Sequence, residues 1–319
     1  MPPAPISLDT LIGCPPEGPL LVVDLDASSA APPAPLDSGL PAVVLGVTTA
    51  PQPLDHAGAV ACDLVLAPGD PAVDAIAATV TANPTAAVAL VLLLRGTDGR
   101  SVDDGLLAES AVYSTLQAGP EFARWRVGRP VRVGRAGGDP VRLERAGPVL
   151  TVTLDRPEVR NALNAAMRDA LVDAFRLVAA DPSISAVHLR GDGPDFCSGG
   201  DLDEFGTFPD PATAHLVRLQ QSVGRGIDAV AERVTAHLHG GCAGSGIELP
   251  AFAHRVVATP DTRIALPEVA MGLIPGAGGT VSVPRRIGRW RTARLALSGE
   301  WLDARTALEW GLVDEVVPA

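Results

Sequence analysis

Two glycine-rich stretches carry the residues whose types and spacing could do chemistry. They are Phe196-Cys197-Ser198-Gly199-Gly200-Asp201 and His239-Gly240-Gly241-Cys242-Ala243-Gly244-Ser245-Gly246-Ile247-Glu248. Each sets glycines beside a residue whose backbone N–H would point into open space. Fixed amide dipoles so placed stabilise charge developing on a carbonyl oxygen. The second stretch ends in Glu248, and Pro267-Glu268 supplies another carboxylate ahead of Pro275-Gly276-Ala277-Gly278-Gly279-Thr280. Both glutamates lie in apolar surroundings, where the charged form of a carboxylate is disfavoured and proton transfer near neutrality becomes accessible. For either glutamate alone, a solvated loop carboxylate is the competing reading.

Other signals fail on spacing or partners. Gly276-Ala277-Gly278 is followed by Val281 where a dinucleotide fingerprint needs glycine. Ser245 has Ala243 and Ile247 where a nucleophile elbow has glycines. Cys197 has no histidine tied to it by a motif and reads as a small packing residue. His188, His237 and His239 fall on or just after expected strands and read as structural. The four cysteines, Cys14, Cys62, Cys197 and Cys242, are scattered without a C-x-x-C pair, so neither a disulfide framework nor a metal site is expected.

The elements that must hold these loops follow from composition and pattern. The chain has 319 residues, 47% hydrophobic and 19% charged, which describes a globular protein with a large core. Its net charge of −12 argues against general nucleic-acid affinity, and every basic side chain other than histidine is arginine. The longest apolar run, Ala86 to Leu94, is too short to cross a bilayer. Met1 to Pro5 lacks the features of a signal peptide, so a cytoplasmic location is expected.

Residues 1 to about 20 read as a loose lead-in. Leu20–Leu25, Ala42–Val47 and Asp63–Pro68 read as strands, and Pro71–Ala82, Pro84–Leu94, Val102–Leu116 and Glu121–Trp125 as helices. Arg126 to Gly138 reads as a linker, which places a boundary near residue 138, between an accessory domain (1–138) and a core (139–319). Beyond it come a hairpin (Val141–Arg145 and Val149–Leu154), a helix from Asn164 to Ala180, the strand Ile184–Leu189 and a long helix from Ala212 to Glu232. Strands at Val234–Leu238, Val256–Ala258, Arg263–Ala265 and Val313–Val317 alternate with helices after Gly278, near Trp290–Leu297 and at Ala304–Trp310. The fold class is α/β, in repeated strand–strand–helix units.

Taken together, Leu154–Asn164, the Phe196–Leu202 loop, the Gly240–Leu249 loop and Pro267-Glu268 with Ile274–Thr280 occur in an order that resembles the crotonase superfamily (enoyl-CoA hydratase/isomerase), over roughly residues 141 to 318. The resemblance implies a crotonase-like spiral that binds acyl-CoA thioesters and assembles as trimers or pairs of trimers. It implies oxyanion-hole amides at Ser198 and Ser245, acid–base roles for Glu248 and Glu268, and no cofactor or metal beyond coenzyme A as part of the substrate. Arg156, Arg160 and Ala162 would lie along CoA, and Gly199, Gly200, Asp201 and Leu202 would border its adenine; for Arg160 a solvated surface charge competes. Many hydratases have glycine where this chain has Ser245. Retention of both glutamates favours a 2-enoyl-CoA hydratase, while isomerase, thioester hydrolase, decarboxylase and a non-catalytic acyl-CoA-binding subunit stay open. Residues 63 to 127 resemble the helical segment with which the family closes its site, so helices 71–127 are expected to replace that segment; an unrelated accessory domain is the alternative, with Tyr113 and Trp125 as core residues.

Overall fold

Apolar runs near the N-terminus form a small parallel sheet in the order β1 (Ile6–Ser7), β2 (Leu20–Asp24), β3 (Val43–Val47), β4 (Leu64–Leu66). The computed structural model describes residues 1–13, 17–27, 34–129, 138–207 and 210–318. Parallel strands covered on both faces read as continuous hydrophobic stretches. In β2, Leu20 and Val22 face one apolar cluster and Leu21 and Val23 another, which is the two-residue alternation of a pleated strand. The expected loose lead-in instead carries structure: β1 pairs with β2, and α1 (Leu8–Gly13) buries Leu8 and Leu11 against the outer face. Cys14 and most of the expected linker, residues 130–137, lie outside the described residues.

Helices α2 (Pro71–Ala82), α3 (Pro84–Arg95), α4 (Val102–Gln117) and α5 (Pro120–Arg126) follow. Prolines open α2, α3 and α5, where the missing N–H has no helical partner to lose. Helix α3 lacks a local cap; Glu121 of α5 supplies it, accepting from the amides of Thr85 (2.8 Å) and Ala86 (3.0 Å). At the other end, Arg95 reaches into the sheet and forks onto Asp63 at 2.8 and 2.7 Å.

The remaining chain builds β5 (Val141–Ala146), β6 (Val149–Leu154), α6 (Ala165–Ala180), β7 (Ala186–Gly191), α7 (Pro211–Gln220), α8 (Val223–Asp228), β8 (Val234–Leu238), β9 (Gly241–Ala243), α9 (Ser245–Glu248), β10 (Arg255–Ala258) and β11 (Arg263–Ala265). It ends with α10 (Gly279–Ser298), β12 (Leu302–Asp303), α11 (Ala304–Trp310) and β13 (Glu315–Val316). A six-stranded sheet runs β13-β10-β8-β7-β6-β5, parallel except for the β5–β6 hairpin, and β12-β11-β9 form a second layer. The long helix expected from Ala212 to Glu232 is broken. Ser222 caps α8 by accepting from Arg225 N, and Gly224 lets that helix close onto Phe252, where a Cβ would sit 2.6 Å from the ring. Helix α10 is bent at Gly288, whose φ of 77° leaves the helical region.

One apolar cluster runs from Leu20 and Leu45 in the small sheet, through Leu90 and Tyr113, to Phe175, Ile247 and Leu312. Among the described residues no single helix is long and apolar enough to cross a membrane.

Candidate functional site

The strand-to-helix turn that ends in α9 carries Glu248 into the interior. The turn needs Gly244, at φ 50° and ψ −121°, because a Cβ there would lie 2.4 Å from an oxygen of Glu268. Glu248 is 2% exposed and accepts hydrogen bonds from the amides of Ala277 and Gly279, both at 2.8 Å. Glu268 opens the short turn Glu268–Met271 and is also buried, and one of its carboxylate oxygens, Oε2, has no hydrogen-bond partner among the described residues. The two glutamates of the sequence reading are thus brought together, one fixed and one with an open acceptor.

A third carboxylate joins them. Glu109, from α4, is 2% exposed and accepts from Gly278 N at 2.7 Å, Thr280 N at 2.9 Å and Thr280 Oγ1 at 2.7 Å. Glu248 and Glu109 therefore grip alternate amides along Ala277–Thr280, at the start of α10, where exposed amides and the helix dipole favour negative charge. Sequence reading passed over Glu109. The available signal was a lone acid among Leu106, Tyr113 and Leu116, which share one face of α4.

Burial raises all three groups. Glu109 rises to about 7 and Glu268 to about 8, each chiefly through desolvation, with Glu109 adding repulsion at Glu268. Glu248 is raised well above its ordinary value by burial, then by repulsion from Glu268 and Glu109. Charge on one carboxyl group therefore opposes loss of the proton from the others.

These groups line a cavity of about 210 Å³ whose walls are largely apolar, from Leu106, Leu163, Val217 and Leu249 among others. Tyr113 of α4 forms part of the wall. Its ring lies so close to Gly276 that a Cβ there would meet it at 2.4 Å, and burial raises its phenol above the ordinary range.

The structure corrects the placement of one expected oxyanion donor. The Ser198 N–H is donated to the Arg160 carbonyl at 2.9 Å, and Ser198 is exposed and off the cavity wall. Two residues on, Gly200 lines the cavity together with Ser245, and among the described residues neither amide has a recorded acceptor. Isolated bridges from Leu163 to Gly200 and from Cys197 to Cys242 hold this loop in place. Cys197 is buried 3.7 Å from Ser245 Oγ, and burial raises its thiol, which leaves it a packing residue.

The remaining predicted site residues form the rim. Arg156 is engaged internally: it pairs with Asp201 at 3.1 Å and donates to the Ala162 carbonyl. Arg160 is 72% exposed, with only a loose contact to Asp195 at 3.5 Å, and both it and Asn161 have a left-handed φ of 53°. Gly199 accepts from Leu163 N, and Leu202 is exposed. Asn161, which sequence reading missed as a functional position, is fully buried and ties this rim together. Its Oδ1 accepts from Arg156 N, and its Nδ2 donates to the carbonyls of Asp192, Asp195 and Phe196. His188 and His237 meet at 2.9 Å on the large sheet, away from the cavity lining.

Residues 144–319 match the sequence model described as enoyl-CoA hydratase/isomerase. The chain is similar to a 2,3-dehydroadipyl-CoA hydratase of Escherichia coli (strain K12), 36% identical over 177 residues, 56% of this chain and 69% of that one. It is also 36% identical over 169 residues to a peroxisomal bifunctional enzyme of Danio rerio, covering 53% of this chain and 22% of that one. Among solved structures, an enoyl-CoA hydratase from Thermoplasma volcanium GSS1 superposes with a TM-score of 0.53 at 36% identity, covering 57% of this chain and 73% of that one. One from Mycobacterium smegmatis gives 0.52 at 34%, covering 56% and 70%. Glu109 and Tyr113 precede the matched residues.

Proposed function

The chain belongs to the enoyl-CoA hydratase/isomerase family, and from that premise we propose that it adds water reversibly to a 2-enoyl-CoA thioester. The observation that carries this reading is the pairing of Glu248 and Glu268 in one buried cavity, with an open acceptor on Glu268. The amides of Gly200 and Ser245 would polarise the thioester carbonyl, making C3 electrophilic and stabilising the enolate-like transition state. A water held between the two glutamates attacks C3, giving its proton to one carboxylate, and a proton is delivered to C2. Burial supports this by keeping the carboxyl groups protonatable near neutrality.

Retention of both glutamates favours hydration over isomerisation, for which a single acid suffices. Helices α4 and α5 close the site from the N-terminal side, through Glu109, Tyr113 and the contact of Glu121 and Phe122 with Gly272. At the rim, Arg156 braces the two loops that would border CoA. Arg160, exposed and loosely held, is the side chain free to meet phosphate oxygens. Assembly as a trimer or hexamer belongs to this proposal, and light scattering on the purified protein tests it.

The direct test follows hydration of crotonyl-CoA by loss of the conjugated thioester absorbance. Glu268→Gln and Glu248→Gln are each expected to lower kcat by about 10²–10⁴-fold, the usual worth of a positioned acid or base. Undiminished turnover in both variants would overturn the two-glutamate mechanism.

A further inference from the structure

Arg218 of α7 lines the same cavity and is half-buried, yet every contact it makes is with a neutral group. Its Nε donates to Ser110 Oγ at 3.2 Å, its Nη2 to Ser114 Oγ and the Ser110 carbonyl, and its guanidinium lies over the Tyr113 ring, 4.7 Å from the centroid. Among the described residues no carboxylate lies within 4.0 Å of it, and its Nη1 has no recorded hydrogen bond. Glu109 attracts it through space without touching it. The other cavity arginine, Arg168, is paired with Asp169 at 2.8 Å. A partly buried cation that touches no counterion is costly, and a guanidinium already fixed by two hydroxyls and a ring presents its free edge at little further entropic cost. Among the described residues, the buried side-chain oxygens that lack partners, besides that of Glu268, belong to Gln117 and Gln221, on the walls of this same cavity.

We propose that the cavity receives an acyl chain ending in a carboxylate, and that Arg218 binds that carboxylate. The proposal rests on the acyl-CoA reading above and narrows it to 2-enedioyl-CoA substrates. Tyr113 sets the length. One part of its ring meets Gly276, beside the loop gripped by Glu248 and Glu109, and its face carries Arg218. The anion pocket thus lies one aromatic ring away from the reacting carbons, a separation suited to a short dicarboxylic chain. The Gln117 and Gln221 amides can turn their nitrogens toward the second carboxylate oxygen.

The test compares trans-2-hexenoyl-CoA with the 2-enoyl-CoA of equal length that bears a terminal carboxyl group. The full-length protein is expected to favour the carboxyl-ended substrate in kcat/KM by about tenfold or more, the worth of one charge-assisted hydrogen-bond pair. Arg218→Gln is expected to bring that ratio to near one, and Arg218→Lys to leave it in between. A wild-type protein that favours the methyl-ended substrate, or a ratio that Arg218→Gln leaves unchanged, overturns the proposal and leaves Arg218 a brace for Ser110 and Ser114. Calorimetric titration with the two corresponding saturated, unreactive acyl-CoAs measures the same preference without turnover. Tighter binding of the carboxyl-ended compound sustains the anion pocket even if hydration fails, and equal binding rejects it even if hydration succeeds. Thermal melts of each variant confirm that the ratios come from folded protein.

Discussion

Three buried carboxyl groups around one cavity oppose one another's ionisation near neutrality, and stability should record this. Glu268 goes from an ordinary value of 4.5 to about 8 on folding, and Glu109 from 4.5 to about 7. Between pH 4.5 and 8 the native state therefore binds more protons than the unfolded chain, so its stability falls as pH rises through that window. Melting temperature should drop from pH 5 to pH 8, and Glu268→Gln should flatten the drop, melting higher than wild type at pH 8 and much like it at pH 5. A second prediction concerns Gly244. Gly244→Ala places a methyl group 2.4 Å from a Glu268 oxygen in a backbone region closed to other residues. Turnover should fall by at least tenfold while saturable acyl-CoA binding persists, as kinetics and titration together would show. At this scale the sequence pointed to Glu248 through its glycine-flanked apolar setting, to Glu268 through Pro267 and its apolar stretch, and to Ser245 through the family resemblance, and all three line one cavity. It put the other donor at Ser198, whose amide is taken by the Arg160 carbonyl, a contact between loops far apart along the chain that no local pattern shows.

Helix α3 is held at both ends by side chains from elsewhere. Arg95 and Asp63 are buried to 4% and 2% exposure, and Arg95 also donates to the carbonyls of Leu40 and Ala42. Removing one partner of such a pair strands the other in an apolar interior, so Arg95→Met should cost about 3–5 kcal/mol in urea unfolding. Glu121→Ala should cost about 1–2 kcal/mol, since it uncaps two amides at the start of the helix. Most elements were legible from apolar periodicity and from residues such as Asp70, Ser101 and Asn164, each of which accepts from an amide at its helix start. The break between α7 and α8 was not, because periodicity continues across it and the cause is close packing on Phe252. The strand β1 was missed because two residues carry no period, and only pairing with β2 makes them a strand.

At the scale of the whole molecule, residues before and after 138 share one apolar core, from Leu20 to Leu312. A chain cut to residues 139–319 would expose the faces that α2, α3 and α4 cover. It is expected to be poorly soluble and to lack a cooperative thermal transition by circular dichroism, where the full chain has one. The sequence suggested a resemblance of the N-terminal helices to a closing segment, but not that α4 would place an acid in the cavity. That depends on the angle at which α4 crosses α7 and α10, which no local pattern encodes.

The grip of Glu109 on the loop at Gly278 also sets a timetable. The two residues are 169 positions apart, so at about 5–20 residues per second a ribosome takes roughly 8–34 s to supply the amides that Glu109 awaits. During that interval α4 can pack on α3, α5 and α7, but the Glu109 carboxyl lacks the amides that hold it. The earliest-made wall of the cavity is therefore the last to be secured, and a nascent chain stalled before Gly278 should be cut within α4 by a protease more readily than the finished chain.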